Sequence, residues 1–386
     1  MCPLKWHCNR FQEFHTRLAL LSRVFYIDCI SCQHRGELPD VSEHRKTPTI
    51  QDVALAAQVS TATVSRALSH PDRVSETTRA KVADAIHVTG YTLNLAARSL
   101  RQRTTKTILV ALPDIRNGFF SSILDAIERE ATARGYGVLI ANLYIGAESA
   151  MQLQSYLLSN RADGLLLLDG SLDARTLQIL TSEPHAIPLV VACEEIVNAG
   201  FHTVLTDNAQ SADRATQHLI DLGHKRIGHL LGPESNVVAK ERLKGFLAAM
   251  KRADLPVSPE WLLRGNFEMD SGFGAASRFA SLSERPTAVF AANDESAIGF
   301  MSGLRRHGIL CPRDISIIGY DDLDVAAHYT PALTTIRQPR QTLGRMAAET
   351  LIDMLEDGYI KRGQLRIVLN SELIVRESTS HPQADA

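Results

Sequence analysis

The stretch from Ser60 to Leu68 combines small hydroxyl side chains with a single arginine. At helical spacing its apolar residues Val64 and Leu68 fall on one side. The opposite side carries Thr61, Ala62, Ser65 and Arg66. In the major groove of DNA a threonine can contact base edges or methyl groups, and an arginine can donate two hydrogen bonds to guanine O6 and N7. The spacing alone is equally compatible with a three-helix bundle that turns a polar face to solvent.

Short predicted helices must hold this stretch in place. The first begins after Thr49, its predicted N-cap, and has Asp52 at its third position, where a carboxylate suits a helix N-terminus. Its inward face has the i, i+3, i+4, i+7 spacing of Ile50, Val53, Ala54 and Ala57. A break at Gln58-Val59 separates it from the second helix, which Ser60 caps.

A third predicted helix begins at Ser75-Glu76, places Val82 and Ile86 inward and ends at Gly90. Three short helices with a tight turn between the first two form a helix-turn-helix unit. The surroundings are basic, because residues 47–106 carry a net charge of +4 whereas residues 107–386 carry −8. A small basic module on a large acidic body indicates that the module meets a polyanion.

Residues 1–46 form an N-terminal extension with no regular apolar period. Cys29 and Cys32, with histidines nearby, permit a zinc site, but we favour a disordered tail or sequence ahead of a mis-assigned start, and we predict no metal site. The rest of the chain holds only Cys193 and Cys311, which is too few for a disulfide framework and is typical of the reducing cytoplasm. No apolar run is long enough to predict a membrane span.

From residue 107 short apolar runs alternate with longer amphipathic runs. Strands are predicted at Ile108–Pro113, Val138–Asn142, Leu165–Leu168, Leu189–Ala192, Ile227–Leu231, Ala288–Ala291 and Ile315–Gly319. Helices are predicted at Phe119–Arg134, Ser211–Leu222, Lys240–Arg252, Asp294–His307 and Thr342–Glu356, and Gly135, Gly223 and Gly308 follow helix ends. This alternation predicts an α/β fold of two doubly wound parallel sheets, since the segment is too long for one sheet. Ligand binding is expected in the cleft between the two lobes.

The segment 49–91 resembles the headpiece of the lactose-repressor (LacI/GalR) family, most closely its cytidine-repressor branch. The resemblance is carried by Val59 to Leu68, Pro71-Asp72, Val74-Ser75 and Gly90-Tyr91. It implies a sequence-specific repressor in which Thr61, Ala62 and Arg66 read bases. It also implies that Ser60, Thr63 and Ser65 hold phosphates. One departure is Gln58, where the family often has Gly or Asn in a turn of positive φ, at a cost of roughly 1 kcal/mol for Gln.

The linker at residues 93–106 favours a helix of only two turns, which is marginal alone in water. By itself it also fits an ordinary basic linker with a buried leucine. Ala96 to Leu100 resembles the family's hinge helix, which orders on the operator. That resemblance implies that two hinge helices of a dimer enter the minor groove and that Leu100 wedges between base steps and bends the duplex.

The body at residues 107–386 is similar to the family's effector domain and to periplasmic sugar-binding proteins. The similar segments include Gly223–Gly228, Arg242–Phe246, Pro286–Phe290, Ile315–Asp321 and Pro331–Pro339. In that fold the chain crosses between the lobes three times, here near Asp207, Ile336 and Leu365. Position by position, the resemblance implies that the effector is bound by Asn117, Phe119, Phe120, Arg242, Phe267, Asn293, Asp321 and Gln338.

Structural interpretations of these effector residues stay open beside the functional one. One of Phe119 and Phe120 fits a place in the core, and Asp321 fits a turn. Asn293 and Asp294 fit the cap of the next helix, Asp294 above all. Aromatic faces, an arginine and a carboxylate nevertheless match the chemistry of a sugar ring and its hydroxyls.

Two departures from relatives bear on the ligand. Asn236 and Val238 replace the Arg and Thr with which the purine-repressor branch reads a base, which disfavours a free purine. Glu194 and Glu195 replace the Asp-Arg pair of ribose binders, which disfavours plain ribose. The effector is therefore predicted to be a nucleoside first and a pentose or other sugar second.

A homodimer on double-stranded operator DNA, under allosteric control by that effector and without a cofactor, is the resulting hypothesis. A periplasmic-type sugar-binding protein would have no use for residues 49–106. An enzyme is not expected, because the sequence has no phosphate loop, metal cluster or nucleophile–His–acid set. The tail from Glu377 to Ala386 has no apolar heptad, so no tetramerising coiled coil is predicted.

Overall fold

The computed structural model describes residues 48–92, 104–143, 161–170, 187–196, 200–357 and 364–383, with single positions at 153, 155, 156, 159, 172, 177 and 178. The N-terminal extension with its cysteines and most of the linker, Leu100 included, lie outside the described residues. The helical headpiece and the α/β body form two separate compact units.

The headpiece contains helices α1 (Ile50–Ala57), α2 (Thr61–Ser69) and α3 (Glu76–Thr89), with a 3-10 turn at Pro71–Arg73. The predicted caps are present, because Thr49 N and Oγ1 both donate to Asp52 Oδ2 at 2.7 Å. Ser60 Oγ likewise accepts from Thr63 N at 3.1 Å. The small core that joins the helices is formed by Val53, Ala54, Ala57, Val64, Ala67, Val82 and Ala85.

The turn between α1 and α2 depends on Gln58, which has a φ of 55° in the left-handed region. Its N–H donates to the carbonyl of Leu55, and Val59 N donates to Ala54. These bonds satisfy carbonyls at the end of α1 and redirect the chain within two residues. The predicted positive φ at this position is confirmed, even though Gln lacks the freedom of glycine.

The first lobe of the body is built on a six-stranded sheet of order β11-β5-β4-β3-β1-β2. Its strands are β1 (Thr107–Leu112), β2 (Gly137–Asn142), β3 (Gly164–Leu167), β4 (Leu189–Ala192), β5 (His202–Thr206) and β11 (Arg366–Leu369), all parallel. Successive residues of β1 alternate between two apolar clusters, Ile108 in one and Leu109 in the other. Helices α4 (Gly118–Ala133) and α10 (Arg340–Glu356) contribute to the first of these clusters.

The second lobe has a six-stranded sheet of order β12-β10-β9-β8-β6-β7. Its strands are β6 (Ile227–Leu230), β7 (Leu262–Leu263), β8 (Ala288–Ala291), β9 (Ser316–Asp321), β10 (Thr334–Arg337) and β12 (Glu372–Ile374). Only β12 is antiparallel to its neighbour in this sheet. The helices of this lobe are α5 (Asn208–Asp221), α6 (Val237–Arg252), α7 (Met269–Ala280), α8 (Asp294–Arg306) and α9 (Asp324–His328), and a 3-10 turn lies at Pro259–Trp261.

The chain passes between the lobes after β5, after β10 and after β11. The first crossing is at Asp207, as predicted. The second follows Arg337, just beyond the predicted Ile336. The third lies between β11 and β12, later than the predicted Leu365, because the unpredicted strand β11 first adds to the sheet of lobe 1. The predicted fold class, a helical headpiece with two doubly wound parallel sheets, is confirmed.

Candidate DNA-reading helix and effector cleft

The residues predicted to read bases are exposed on α2. Thr61, Ala62 and Arg66 are all solvent-exposed, whereas Val64 of the same helix is fully buried. The first turn of the helix is stabilised by a hydrogen bond of 2.8 Å between the side chains of Ser60 and Thr63. This geometry offers two small side chains at the beginning of a capped helix and one guanidinium in its last turn.

The three predicted phosphate ligands differ in accessibility. Ser60 is exposed, whereas Thr63 and Ser65 are half-buried. The carbonyl of Ser65 accepts a hydrogen bond from Ser69 Oγ at 2.7 Å. The hydroxyls of Ser60 and Thr63 lie together at the N-terminus of α2, where backbone N–H groups also favour an anion.

A cleft of about 750 Å³ lies between the two lobes of the body. Lobe 1 contributes the start of α4 and the loops after β1, β3 and β4, and lobe 2 contributes α6 and the loops after β7, β8 and β9. All eight residues predicted to bind the effector line this cleft, namely Asn117, Phe119, Phe120, Arg242, Phe267, Asn293, Asp321 and Gln338. Sequence positions more than two hundred residues apart therefore meet at one site.

Aromatic rings come from both walls of the cleft. Phe119 and Phe120 contact each other edge to face, with ring centroids 5.1 Å apart, and each is 8% exposed. Both belong to the apolar core of lobe 1 and both line the cleft, so the core interpretation and the cleft interpretation hold together. From lobe 2, Phe267 lines the same space with a φ of 72°.

Arg242 is the buried cation of the cleft. Its Nε donates to Asn208 Oδ1 at 2.9 Å and its Nη1 donates to the carbonyl of Ala292. The guanidinium lies over the Tyr320 ring, 3.7 Å from the centroid, and its Nη2 is 3.8 Å from Asp321 Oδ1. Its other contacts fix the side chain in place, so the guanidinium and the Asp321 carboxylate are held close together at the cleft wall.

Asp321 is the matching carboxylate. Burial raises its pKa to about 6, although Arg242 and the hydrogen bond from Gln338 act to lower it. Gln338 Nε2 donates to Asp321 Oδ1 at 2.8 Å, and Gln338 Oε1 accepts from Thr206 Oγ1 at 2.7 Å. The amide of Gln338 is thereby oriented by lobe 1 and in turn orients the carboxylate of lobe 2.

Two asparagines of the predicted set serve as helix caps. Asn117 Oδ1 accepts from Phe119 N at 2.8 Å at the start of α4. Asn293 Oδ1 accepts from Ser296 N at 3.1 Å at the start of α8, and its Nδ2 donates to the carbonyl of Phe267 at 2.7 Å. Asn293 therefore caps α8 and also fixes the loop that carries Phe267.

The expectation that Asp294 caps this helix is wrong. Asp294 is fully buried, and its carboxylate accepts from Leu323 N at 2.8 Å and from Thr335 Oγ1 at 2.6 Å. Burial holds its pKa well above the usual range. The carboxylate thus joins α8 to the strand β10 and to the segment after β9 inside lobe 2.

Glu194 and Asn236 also line the cleft. The sequence analysis noted these two residues only as departures from relatives. Glu194 Oε1 accepts from Asn236 Nδ2 at 3.0 Å, and Glu194 Oε2 accepts from Gly170 N at 2.8 Å. Burial, with the nearby charge of Asp169, raises the pKa of Glu194 to about 7. A side chain at position 170 would collide with this carboxyl, so a glycine is required there.

The neighbouring Glu195 does not line the cleft. Its carboxylate accepts two hydrogen bonds from Arg366, at 3.1 and 3.0 Å, on the outside of lobe 1. Only the first residue of the Glu194-Glu195 pair therefore faces the ligand space.

The charge of the cleft lining is predominantly acidic. Among the described residues that line it, Arg116 and Arg242 are the basic ones. The acidic residues of the lining are Asp114, Asp169, Glu194, Glu268, Asp270, Glu295 and Asp321. Arg116 is moreover engaged with Asp114, from Nη2 to Oδ2 at 2.8 Å. Such a lining disfavours an anionic ligand, because like charges repel, most strongly at the buried carboxylates of Asp169 and Asp321.

Within the described residues, no cluster of three or more His, Cys, Asp or Glu side chains is placed to hold a metal ion. The cysteines considered for a zinc site lie outside these residues. None of the described helices has the length and apolar character needed to cross a bilayer.

Residues 49–94 match the family described as bacterial regulatory proteins, lacI family. Residues 216–379 match the periplasmic binding protein-like domain. The chain is 38% identical over 333 residues to the HTH-type transcriptional repressor CytR of Escherichia coli (strain K12), which covers 86% of this chain and 96% of that protein. Over 332 residues it is 36% identical to the HTH-type transcriptional repressor PurR of Vibrio vulnificus, with 86% and 98% covered.

Among solved structures, the lac repressor dimer bound to operator and the anti-inducer ONPF is similar with a TM-score of 0.78 and 29% identity. The similarity covers 87% of this chain and all of that one.

Proposed function

Because the chain belongs to the lacI family of bacterial regulatory proteins, we propose that it is a transcriptional repressor whose hold on an operator is controlled by a small uncharged effector. The observation that carries the proposal is the capped helix α2 with Thr61, Ala62 and Arg66 exposed together, on a chain that also contains a ligand-sized cleft. A plain binding protein has no need of the first feature. A repressor of this kind acts in the cytoplasm, where the chromosome is, and carries out no reaction.

The headpiece at residues 47–92 reads DNA through α2. Arg66 forks onto a guanine, and Thr61 and Ala62 contact base edges or methyl groups. Ser60, Thr63 and Ser65 hold phosphates and set the register of the helix in the groove. The hinge at residues 93–106 orders on the operator, and Leu100 enters the minor groove there.

The effector binds between the lobes, at Arg242, Asp321 and the other predicted cleft residues. Phe119, Phe120 and Phe267 supply apolar faces for a sugar ring, whereas Arg242 and Asp321 bind neighbouring hydroxyls. The volume of about 750 Å³ exceeds the needs of a bare pentose and suits a nucleoside. The acidic lining disfavours phosphorylated compounds, so a neutral nucleoside ranks first and a pentose or other sugar second.

Control is exerted through a homodimer, the state in which the similar lac repressor binds its operator. Effector that closes the cleft changes the relation between the N-terminal lobes of the two subunits, the hinge helices melt, and operator affinity falls. A coupling free energy of about 1–3 kcal/mol is expected, and it is reciprocal between effector and operator.

A gel-shift titration with the intergenic DNA upstream of the protein's own gene tests the DNA half of the proposal. We expect one preferred site, bound much more tightly than unrelated duplex at the same salt concentration. Equal affinity for every duplex would contradict sequence-specific repression.

A thermal-shift screen of nucleosides, their 5′-monophosphates and pentoses tests the effector half. Nucleosides should raise the unfolding midpoint, and monophosphates should not. The active compound is then added to the gel shift, where it should weaken operator binding. If no compound that binds changes operator affinity, the switch is refuted.

A further inference from the structure

The turn that follows β9 carries two consecutive aspartates with positive backbone angles, Asp321 with φ 113° and Asp322 with φ 55°. Residues other than glycine rarely adopt such angles, and they persist where the surrounding contacts hold them. Asp321 lines the cleft, but Asp322 does not. Because the two share a peptide bond, the contacts of Asp322 influence where the carboxylate of Asp321 points.

Asp322 is held by three arginines. Its Oδ1 accepts from Arg376 Nη2 and its Oδ2 accepts from Arg337 Nε, both at 2.6 Å. Its carbonyl accepts from Arg340 Nη2 at 2.8 Å. We refer to Asp322 with Arg337, Arg340 and Arg376 as the Asp322 clamp.

Arg376 is the better shielded of the two arginines on the carboxylate. Its side chain is 16% exposed, whereas that of Arg337 is 49% exposed. A second nitrogen of Arg376, Nη1, donates to the carbonyl of Leu333 at 2.8 Å, and its backbone N donates to Thr334 Oγ1 at 2.9 Å. Charge-assisted hydrogen bonds with little solvent competition hold geometry more firmly than exposed ones.

The segment that carries Arg376 is itself fastened to the sheet of lobe 2. Ser378 Oγ donates to the carbonyl of Ile317 at 2.6 Å and accepts from Thr334 N at 2.8 Å. Ile317 N in turn donates to the carbonyl of Ser378 at 2.8 Å. Arg376 is thus anchored to the strand β9, the strand that ends in Asp321.

The third arginine of the clamp reaches lobe 1. Arg340 is the first residue of α10, and its Nη1 lies 3.5 Å from the carbonyl of Gly118, the first residue of α4. Phe119 and Phe120 follow Gly118 directly on the cleft wall. The Asp322 clamp therefore touches the elements that present ligand-facing residues from both lobes.

We propose that Arg376, which lies outside the cleft, is a positioning residue for the effector: by holding Asp322 it fixes the turn that directs the Asp321 carboxylate toward the ligand. That Asp321 binds a ligand rests on the proposed function, whereas the hold of Arg376 on the turn does not. Arg376 does not line the cleft, so we expect its effect on binding to pass through Asp322 to Asp321.

A ligand-free experiment tests the positioning directly. Crystal structures of the full chain and of its Arg376→Gln variant are compared at the turn. We expect the variant to lose the 2.8 Å hydrogen bond between Gln338 and Asp321, with Asp322 in a different backbone conformation. Arg252→Gln is the matched control, because it removes an Arg–Asp pair of the same lobe, with Asp213, far from the turn. An unchanged turn in the Arg376 variant overturns the proposal.

Should Arg376→Gln fail to fold, Asp322→Asn provides the same test. It keeps the size of the side chain while removing the charge that draws the two arginines together. The same loss of the Gln338–Asp321 bond is expected, and its retention overturns the proposal equally.

Titrations with cytidine, adenosine and ribose supply a second, energetic readout. For a probe that binds, Arg376→Gln should weaken affinity about tenfold, but it should have less than a twofold effect in an Asp321→Asn background. A residue with only a general structural role would weaken both backgrounds equally, which contradicts the proposal. If none of the probes binds the unaltered protein, the nucleoside assignment fails, and the crystal structures still decide the role of Arg376.

Discussion

The Glu194 side chain accepts a hydrogen bond from the Asn236 amide, from Nδ2 to Oε1 at 3.0 Å. Glu194 follows β4 of lobe 1, and Asn236 caps α6 of lobe 2, so this bond joins the two walls of the cleft. A ligand that contacts either side chain must keep this bond or replace it. Under the proposed function, the pair is therefore expected to affect both the fit of the effector and the closing of the lobes.

The buried carboxyl of Glu194 should make stability depend on pH in a defined direction. Its pKa of about 7 in the folded protein exceeds its ordinary value of 4.5, so folding favours the protonated form. The free energy of unfolding that this group contributes is at most about 3 kcal/mol. It is fully present below pH 4.5, the ordinary pKa, and is lost as the pH rises through about 7, the pKa in the folded protein.

Glu194→Gln should remove this dependence, because the amide does not titrate. Relative to the unaltered protein, the variant should gain stability between about pH 5 and pH 8. Urea unfolding of both proteins over that range measures the difference, and contributions from other groups cancel. A difference that stays constant with pH would show that the carboxyl does not carry the effect.

Replacing Arg66 with alanine should weaken operator binding by about 1–3 kcal/mol and relax the preference at one base pair. Arg66→Lys is the control variant, because it keeps the positive charge but cannot donate the two parallel hydrogen bonds of a guanidinium. The lysine variant should retain salt-dependent affinity for DNA while losing base preference. Gel-shift titrations against operators substituted at single positions check both variants, and unchanged affinity of the alanine variant would refute the assignment.

Replacing Gln58 with glycine should stabilise the headpiece by roughly 1 kcal/mol, because glycine adopts the φ of 55° without steric cost. The control is Gln51→Gly, an exposed position inside α1, where glycine should destabilise by a similar amount. Thermal unfolding of the headpiece followed by circular dichroism compares the two. The same sign for both substitutions would contradict the role of the left-handed turn.

Replacing Arg242 with glutamine should weaken nucleoside binding by roughly 10- to 100-fold. The substitution removes a buried charged donor and leaves the Asp321 carboxylate without its positively charged neighbour. Arg252→Gln lies on the same helix, α6, and should leave the affinity unchanged. Isothermal titration with the nucleoside that binds most tightly provides the measurement. Equal effects of the two substitutions would place the binding site elsewhere.

Replacing Leu100 with alanine should reduce the bend that the protein imposes on its operator. The smaller side chain cannot separate base steps, so the duplex kinks less. Circular-permutation gel mobility of the complex measures the bend angle. An angle equal to that of the unaltered protein would count against the wedge.

The headpiece could be predicted from sequence because its determinants are local. The box of Thr49 with Asp52 and the cap at Ser60 each join residues three positions apart. The same holds for the left-handed turn at Gln58. Short-range rules of capping and periodicity therefore located all three helices.

Several strands of the body were not predicted because they contain polar residues. The hydrogen-bond partners of these residues are distant in the sequence. In β10, Thr334 and Thr335 are fully buried. Their hydroxyls bond to Thr379 and Asp294, each more than forty positions away. A pattern based on apolar periodicity cannot anticipate such partners, and β10 was consequently not among the predicted strands. The bond between Glu194 and Asn236 escaped prediction for the same reason.

The last two strands have a consequence for how this protein is made. β11 completes the sheet of lobe 1 at its edge, and β12 completes the sheet of lobe 2, within a few residues of each other. During synthesis, neither sheet can therefore be completed until the chain through Ile374 has left the ribosome. A premature stop codon shortly before Arg366 would leave the sheets of both lobes incomplete. The truncated chain would then expose two open sheet edges to other protein chains.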